Sequence, residues 1–85
     1  MELQHPIYTR ITVNPEICSG KPCIRGMRFP VTTLLGYLVG GMSMEQVLTD
    51  FPFLENEDIL EAIAFAASTM DATYLPLEIV QSARA

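Results

Sequence analysis

From Ser43 to Met70 the chain reads SMEQVLTDFPFLENEDILEAIAFAASTM, which holds two helix starts separated by a short break containing proline. Ser43-Met44-Glu45-Gln46 fits a capping box, in which the serine hydroxyl takes an orphan backbone N–H and the residue three positions on reaches back. Met42 and Val47 flank it at the positions of a hydrophobic staple. Pro52 has no N–H to donate, so this helix is expected to end near Asp50. The next helix is expected to run to Met70. Glu55 or Asn56 would cap it, and Glu57 and Asp58 suit the positive end of its dipole. Leu54 can staple to Ile59. Ile59, Ile63, Ala66 and Met70 recur at spacings of three and four, and Ala62 and Ala67 beside them permit close helix approach.

Upstream, Leu34, Leu35, Leu38 and Val39 fall on one helical face, and Gly40-Gly41 supplies a stop. Residues 32–70 therefore predict three helices with short connections, the arrangement of a helix-turn-helix. Ahead of them, Ile11 to Val31 reads ITVNPEICSGKPCIRGMRFPV. Ile11-Thr12-Val13 alternates and is β-branched, as a short strand does, and Asn14-Pro15 marks a turn. Pro22 excludes a helix between Glu16 and Gly26, Gly26 marks a turn or bulge, and Arg28-Phe29 is a second strand candidate beside Pro30. The expected fold class is mainly α: a compact trihelical helix-turn-helix domain with an N-terminal irregular β-hairpin or arm. Its parts are a loose N-terminus at 1–10, the β-arm at 11–31, the three-helix unit at 32–70 and a C-terminal tail at 71–85.

Eighty-five residues make one domain with a thin core. With 49% hydrophobic residues and no disulfide framework, such a chain is expected to share apolar surface, either in a homodimer or with a partner. The formal charge of −5 is uneven. The first thirty residues carry Arg10, Lys21, Arg25 and Arg28 against Glu2 and Glu16, whereas the remainder carries Arg84 against eight carboxylates. An acidic total argues against non-specific coating of nucleic acid, but it leaves room for a phosphate-contacting arm and suits a basic protein partner. The charge-free run from Phe29 to Met44 falls short of the roughly 20 apolar residues of a membrane span. A soluble, cytoplasmic protein is expected, with Cys18 and Cys23 reduced.

Chemistry is hard to build from these residues. Gly20-Lys21 lacks the earlier glycine and the following Ser or Thr of a phosphate-binding loop, and Pro22 stands where the hydroxyl belongs. Two cysteines and the single His5 fall short of a zinc set, so no metal or cofactor is expected. Cys18 and Cys23 read first as small buried hydrophobes, with a redox role second. No base is placed to activate Ser19 or either thiol. Glu57, Asp58 and Glu61 crowd one helical turn, as carboxylates on a solvated face do. No enzyme is expected. A third helix presenting Glu55, Glu57, Asp58 and Glu61 would repel phosphates in a major groove. Lys21, Arg25 and Arg28 are therefore the candidates for DNA binding or dimer contact. The candidates for partner binding are Glu57, Asp58 and Glu61 together with Tyr74, Leu75, Leu77, Ile79 and Val80 of the apolar tail.

Ile11, Pro15, Cys18-Ser19-Gly20-Lys21-Pro22, Ile24 through Val31, Gly41 through Glu45, Phe51 through Leu54, Glu57-Asp58-Ile59 and Ala62-Ile63 together carry a resemblance. The chain resembles the small prokaryotic family catalogued as domain of unknown function 433, whose members are described as antitoxins of toxin–antitoxin systems. The resemblance implies a winged or homeodomain-like trihelical fold. It also implies a cognate toxin protein, a ribonuclease of the PIN type, as partner. On that reading the chain is a non-catalytic antitoxin that neutralises a basic, metal-dependent ribonuclease and binds operator DNA to regulate its own operon. The alternatives are a stand-alone helix-turn-helix regulator and a dimeric interaction module without DNA binding.

Overall fold

A computed structural model describes residues 1–72. Three short strands, β1 (Leu3–Gln4), β2 (Ile11–Val13) and β3 (Cys23–Ile24), precede three helices, α1 (Val31–Val39), α2 (Met44–Asp50) and α3 (Asn56–Ala72). The strands form one antiparallel sheet in the order β1-β2-β3, with Leu3 opposite Val13 and Ile11 opposite Ile24. Trihelical unit and β-arm are thus present as expected.

The first ten residues are not loose. β1 pairs with β2, and the His5 backbone N–H donates to the Ile11 carbonyl at 2.9 Å. The turn between them is held by His5 Nδ1, which accepts the N–H groups of Ile7 and Tyr8, each at 3.0 Å. The rings of His5 and Tyr8 then meet Phe65 of α3 edge-on, at 5.5 and 6.3 Å. Nothing periodic in residues 1–10 announces this, because the partners lie in β2 and in α3.

The second strand of the arm also differs from expectation. Cys23–Ile24 is the strand, and Arg28-Phe29 returns beside it: the Ile24 N–H donates to the Phe29 carbonyl, and Pro30 bridges to Cys23. Between them Arg25 and Gly26 both have positive φ, at 46° and 73°, and the Met27 N–H donates back to the Ile24 carbonyl at 2.8 Å. This is the backbone pattern of a type I′ hairpin turn, which matches the twist of the flanking strands.

Ile11, Ile24, Phe29, Val31, Leu34, Val47, Leu54, Ile59 and Ala62 form the core, drawn from the sheet, the hairpin and all three helices. The inward face of α1 is Val31, Leu34, Leu35 and Leu38, whereas Val39 is 88% exposed. It sits roughly 90° round the helix from the centre of that face. The Phe51-Pro52-Phe53 turn packs through its rings: Phe51 stacks on Tyr37 at 5.1 Å, and both Phe51 and Phe53 meet Phe29.

The start of α2 is as its sequence predicts. The Ser43 hydroxyl accepts the Gln46 N–H at 3.0 Å, and the helix ends at Asp50 before Pro52. Ser43→Ala leaves that donor to water and is expected to cost about 1 kcal/mol. In a domain of this size that lowers the melting temperature by about 4–8 °C, which thermal denaturation followed by circular dichroism measures directly.

Candidate interaction surface

α3 begins with a carboxylate that serves two structures at once. The Asp58 side chain accepts the Glu55 N–H at 2.8 Å, closing half of a capping box at the helix start. The same carboxylate is 0% exposed and receives two guanidinium groups from the sheet side. Arg25 donates through Nε at 3.0 Å and through Nη2 at 2.9 Å, and Arg10 donates through Nη1 at 2.9 Å. Arg10 also reaches Glu55 at 2.6 Å, and its backbone N–H donates to the Glu61 carboxylate at 2.8 Å. A second Nη2 bond from Arg25, to the Phe53 carbonyl at 2.7 Å, ties the hairpin turn to the α2–α3 turn.

Burial by itself would push the Asp58 carboxyl up. The hydrogen bonds from Arg25, the Glu55 amide and Arg10 outweigh it, and the group is held below the usual carboxylate range. These bonds also account for a non-glycine residue at positive φ. The left-handed conformation of Arg25 costs about 1 kcal/mol, and its guanidinium grip on Asp58 and Phe53 offsets it.

This network holds two of the expected site residues. Arg25 is bonded within the domain to Asp58 and to the Phe53 carbonyl, with its side chain 34% exposed. Asp58 is buried and cannot meet a partner protein. Lys21 and Arg28 lie exposed on the arm, outside the network. Glu57 is exposed at the start of α3, and Glu61 is half-buried against the Arg10 amide. Tyr74, Leu75, Leu77, Ile79 and Val80 lie outside the described residues.

Fixing Asp58 inward also fixes the rotation of α3. Ile59 and Ala62 are buried and Phe65 packs against the core. On the adjoining face Leu60 is 51%, Ile63 43% and Met70 63% exposed, with Ala67 exposed between them. Of Ile59, Ile63, Ala66 and Met70, which recur at helical spacing, Ile63 and Met70 are exposed. Leu60, Ile63, Ala67 and Met70 repeat at spacings of three, four and three, a seam of the kind that packs against another helix. From Ala62 to Met70 the helix carries no charged residue at all. The signal was present in the sequence as adjacent apolar pairs, Ile59-Leu60, Ala62-Ile63 and Ala66-Ala67. Such doubling makes a helix apolar on two adjoining faces, and such a helix is ordinarily covered on both.

Among the described residues no three His, Cys, Asp or Glu side chains gather closely enough to share a metal ion, and no helix is long and apolar enough to cross a membrane. Residues 11–66 match the family model described as "Protein of unknown function (DUF433)". The chain belongs to the DUF433 family. The matched span contains Arg25, Asp58, Leu60 and Ile63 and ends inside α3. The chain is similar to the uncharacterised protein y4eO of Sinorhizobium fredii (strain NBRC 101917 / NGR234), 36% identical over 56 residues. That alignment covers 66% of this chain and 25% of the relative, so the chain spans about a quarter of that protein's length. The crystal structure of a DUF433 member from Anabaena variabilis ATCC 29413 has the same fold at a TM-score of 0.69, with 30% identity. The superposition covers 74% of this chain and 62% of that one.

Proposed function

We propose that this DUF433 chain is a non-catalytic, cytoplasmic antitoxin that docks on a basic, metal-dependent ribonuclease of the PIN type through the outward face of α3. The observation that carries the reading is the exposed seam of Leu60, Ile63, Ala67 and Met70 on a helix whose adjoining face already fills the core. A contiguous apolar face rimmed by polar groups is what an amphipathic helix offers to a hydrophobic groove. Glu57 at its edge and a total charge of −5 suit a groove with a basic rim. Nucleic acid would gain nothing from that uncharged stripe.

Operator binding, the second half of an antitoxin's work, falls to Lys21 and Arg28 of the arm in a homodimer. Arg25 already commits its guanidinium to Asp58, which makes it the weakest candidate of the three.

Co-expression with the product of the adjacent gene tests the reading. A stable complex that suppresses RNA cleavage is expected, and separate elution with unchanged cleavage overturns it. The same complex, titrated onto the DNA upstream of its own gene, is expected to bind with a salt slope that flattens by about 0.9 for each of Lys21→Ala and Arg28→Ala. Slopes that do not change remove the arm from DNA recognition.

A further inference from the structure

His5, the single histidine of the chain, takes no part in the Asp58 network or in the outward seam of α3, yet it anchors the N-terminal turn. Its Nδ1 accepts two backbone N–H groups, from Ile7 and Tyr8, each at 3.0 Å. A ring nitrogen that accepts carries no hydrogen, so the hydrogen of the neutral ring sits on Nε2. The turn is closed around this anchor. The His5 N–H donates to the Ile11 carbonyl and the Ile11 N–H to the Tyr8 carbonyl, each at 2.9 Å. The Gln4 side-chain amide donates to the Thr9 carbonyl at 2.8 Å. The imidazole centroid lies 5.0 Å from that of Tyr8 and 5.5 Å from that of Phe65 on α3, with Tyr8 itself 6.3 Å from Phe65. One imidazole therefore holds both the backbone of the turn and its contact with α3.

We propose that His5 is a pH-sensitive latch, which holds the turn between β1 and β2 against α3 while Nδ1 is bare and releases it when Nδ1 takes a proton. A proton on Nδ1 converts the acceptor into a donor aimed at two donors, so both bonds to the turn are lost at once. The latched turn leaves Nδ1 bare, whereas the released turn lets it bind a proton, so acid favours release. Imidazoles are the side chains that change charge between about pH 5 and 8. The charged and titratable groups around His5 are engaged elsewhere. Tyr8 meets it through its ring. Arg10, ahead of β2, reaches Glu55 and Asp58, and Glu61, one turn before Phe65 on α3, accepts the Arg10 N–H. Glu2, ahead of β1, sets its carboxylate over Gly26. Among the described residues none of them forms an ion pair with His5, so no carboxylate holds the imidazolium in place. Release uncovers the Phe65 ring and works the same way whatever α3 binds.

Nuclear magnetic resonance of the isotope-labelled full chain, titrated from about pH 8 to about pH 5, tests the latch. Asp58 keeps its charge over that range, so the core network stays intact. At about pH 8 the imidazole is expected to carry its hydrogen on Nε2, with Overhauser contacts between the Tyr8 and Phe65 rings. As His5 protonates, the Ile7 and Tyr8 amide signals are expected to shift with the midpoint of the ring, and the Tyr8–Phe65 contacts to fade. Exchange protection of those two amides, corrected for the intrinsic effect of pH, is expected to fall at least about 10-fold. His5→Asn puts a carboxamide oxygen, which accepts but does not titrate, in the place of Nδ1. That variant is expected to keep the turn closed at both ends of the titration. A hydrogen on Nδ1 at the alkaline end, Tyr8–Phe65 contacts that survive protonation of His5, or the same acid-induced loss of contacts in His5→Asn overturns the proposal. The first two readouts need no variant to fold.

Discussion

Asp58→Ala is expected to remove about 3 kcal/mol of stability, because it takes away the acceptor on which two guanidinium groups and a helix-starting amide converge. The figure sits at the low end for breaking a buried pair, since the Arg10 and Arg25 side chains remain 27% and 34% exposed and water can reclaim part of their charge. A chain of this length has about 4–13 kcal/mol in total. The loss therefore corresponds to about 12–24 °C in melting temperature. Asp58→Asn keeps the volume and one acceptor and is expected to cost less, about 1–2 kcal/mol.

Acid adds a second readout. The folded-state Asp58 carboxyl titrates below its unfolded value, so its contribution is fully present above the unfolded pKa of about 3.9 and is lost as pH falls through the folded value. Stability of the wild type should fall steeply below about pH 4, and Asp58→Asn should show a shallower decline over the same window. Equal acid profiles for the two proteins would show that Asp58 is not the linked group.

Ile63→Lys carries the largest effect on binding. Ile63 sits midway along the outward seam of α3 and is 43% exposed, so the longer side chain extends into water and leaves the core intact. Stability is expected to stay within about 0.5 kcal/mol of wild type. Against a basic groove, the same substitution buries a like charge at the centre of the contact. A loss of at least about 2 kcal/mol, or roughly 30-fold in Kd, is expected for the proposed complex with a toxin. Isothermal titration with the purified partner decides it. An unchanged Kd beside an unchanged melting curve would mean that the partner does not use this face.

Much of the fold was legible because its signals are local. The Ser43 cap, the stop at Pro52, the Gly40-Gly41 break and the turn at Gly26 each depend on residues within a few positions. The structure reproduces all of them. The site was legible only in part. Arg25 and Asp58 were both singled out, the one as a DNA contact and the other as a partner contact, but they are thirty-three residues apart and bond to each other. No periodicity links two such positions. Arg10 escaped notice for the same reason, since its partners, Glu55, Asp58 and Glu61, all lie at the start of α3.

What the amino-acid sequence determined alone is the three helices with their breaks, that a β-arm precedes them, and that the chain shares the DUF433 signature; the β1 strand and the place of β3 were not among it. Tertiary structure decided which way α3 faces. Its apolar residues are doubled, so hydrophobic periodicity fits two orientations. The tie is broken by a polar contact that burial makes obligatory, because a desolvated Asp58 must meet Arg10 and Arg25. Turning that carboxylate inward leaves Leu60, Ile63, Ala67 and Met70 on the outside, available to a partner.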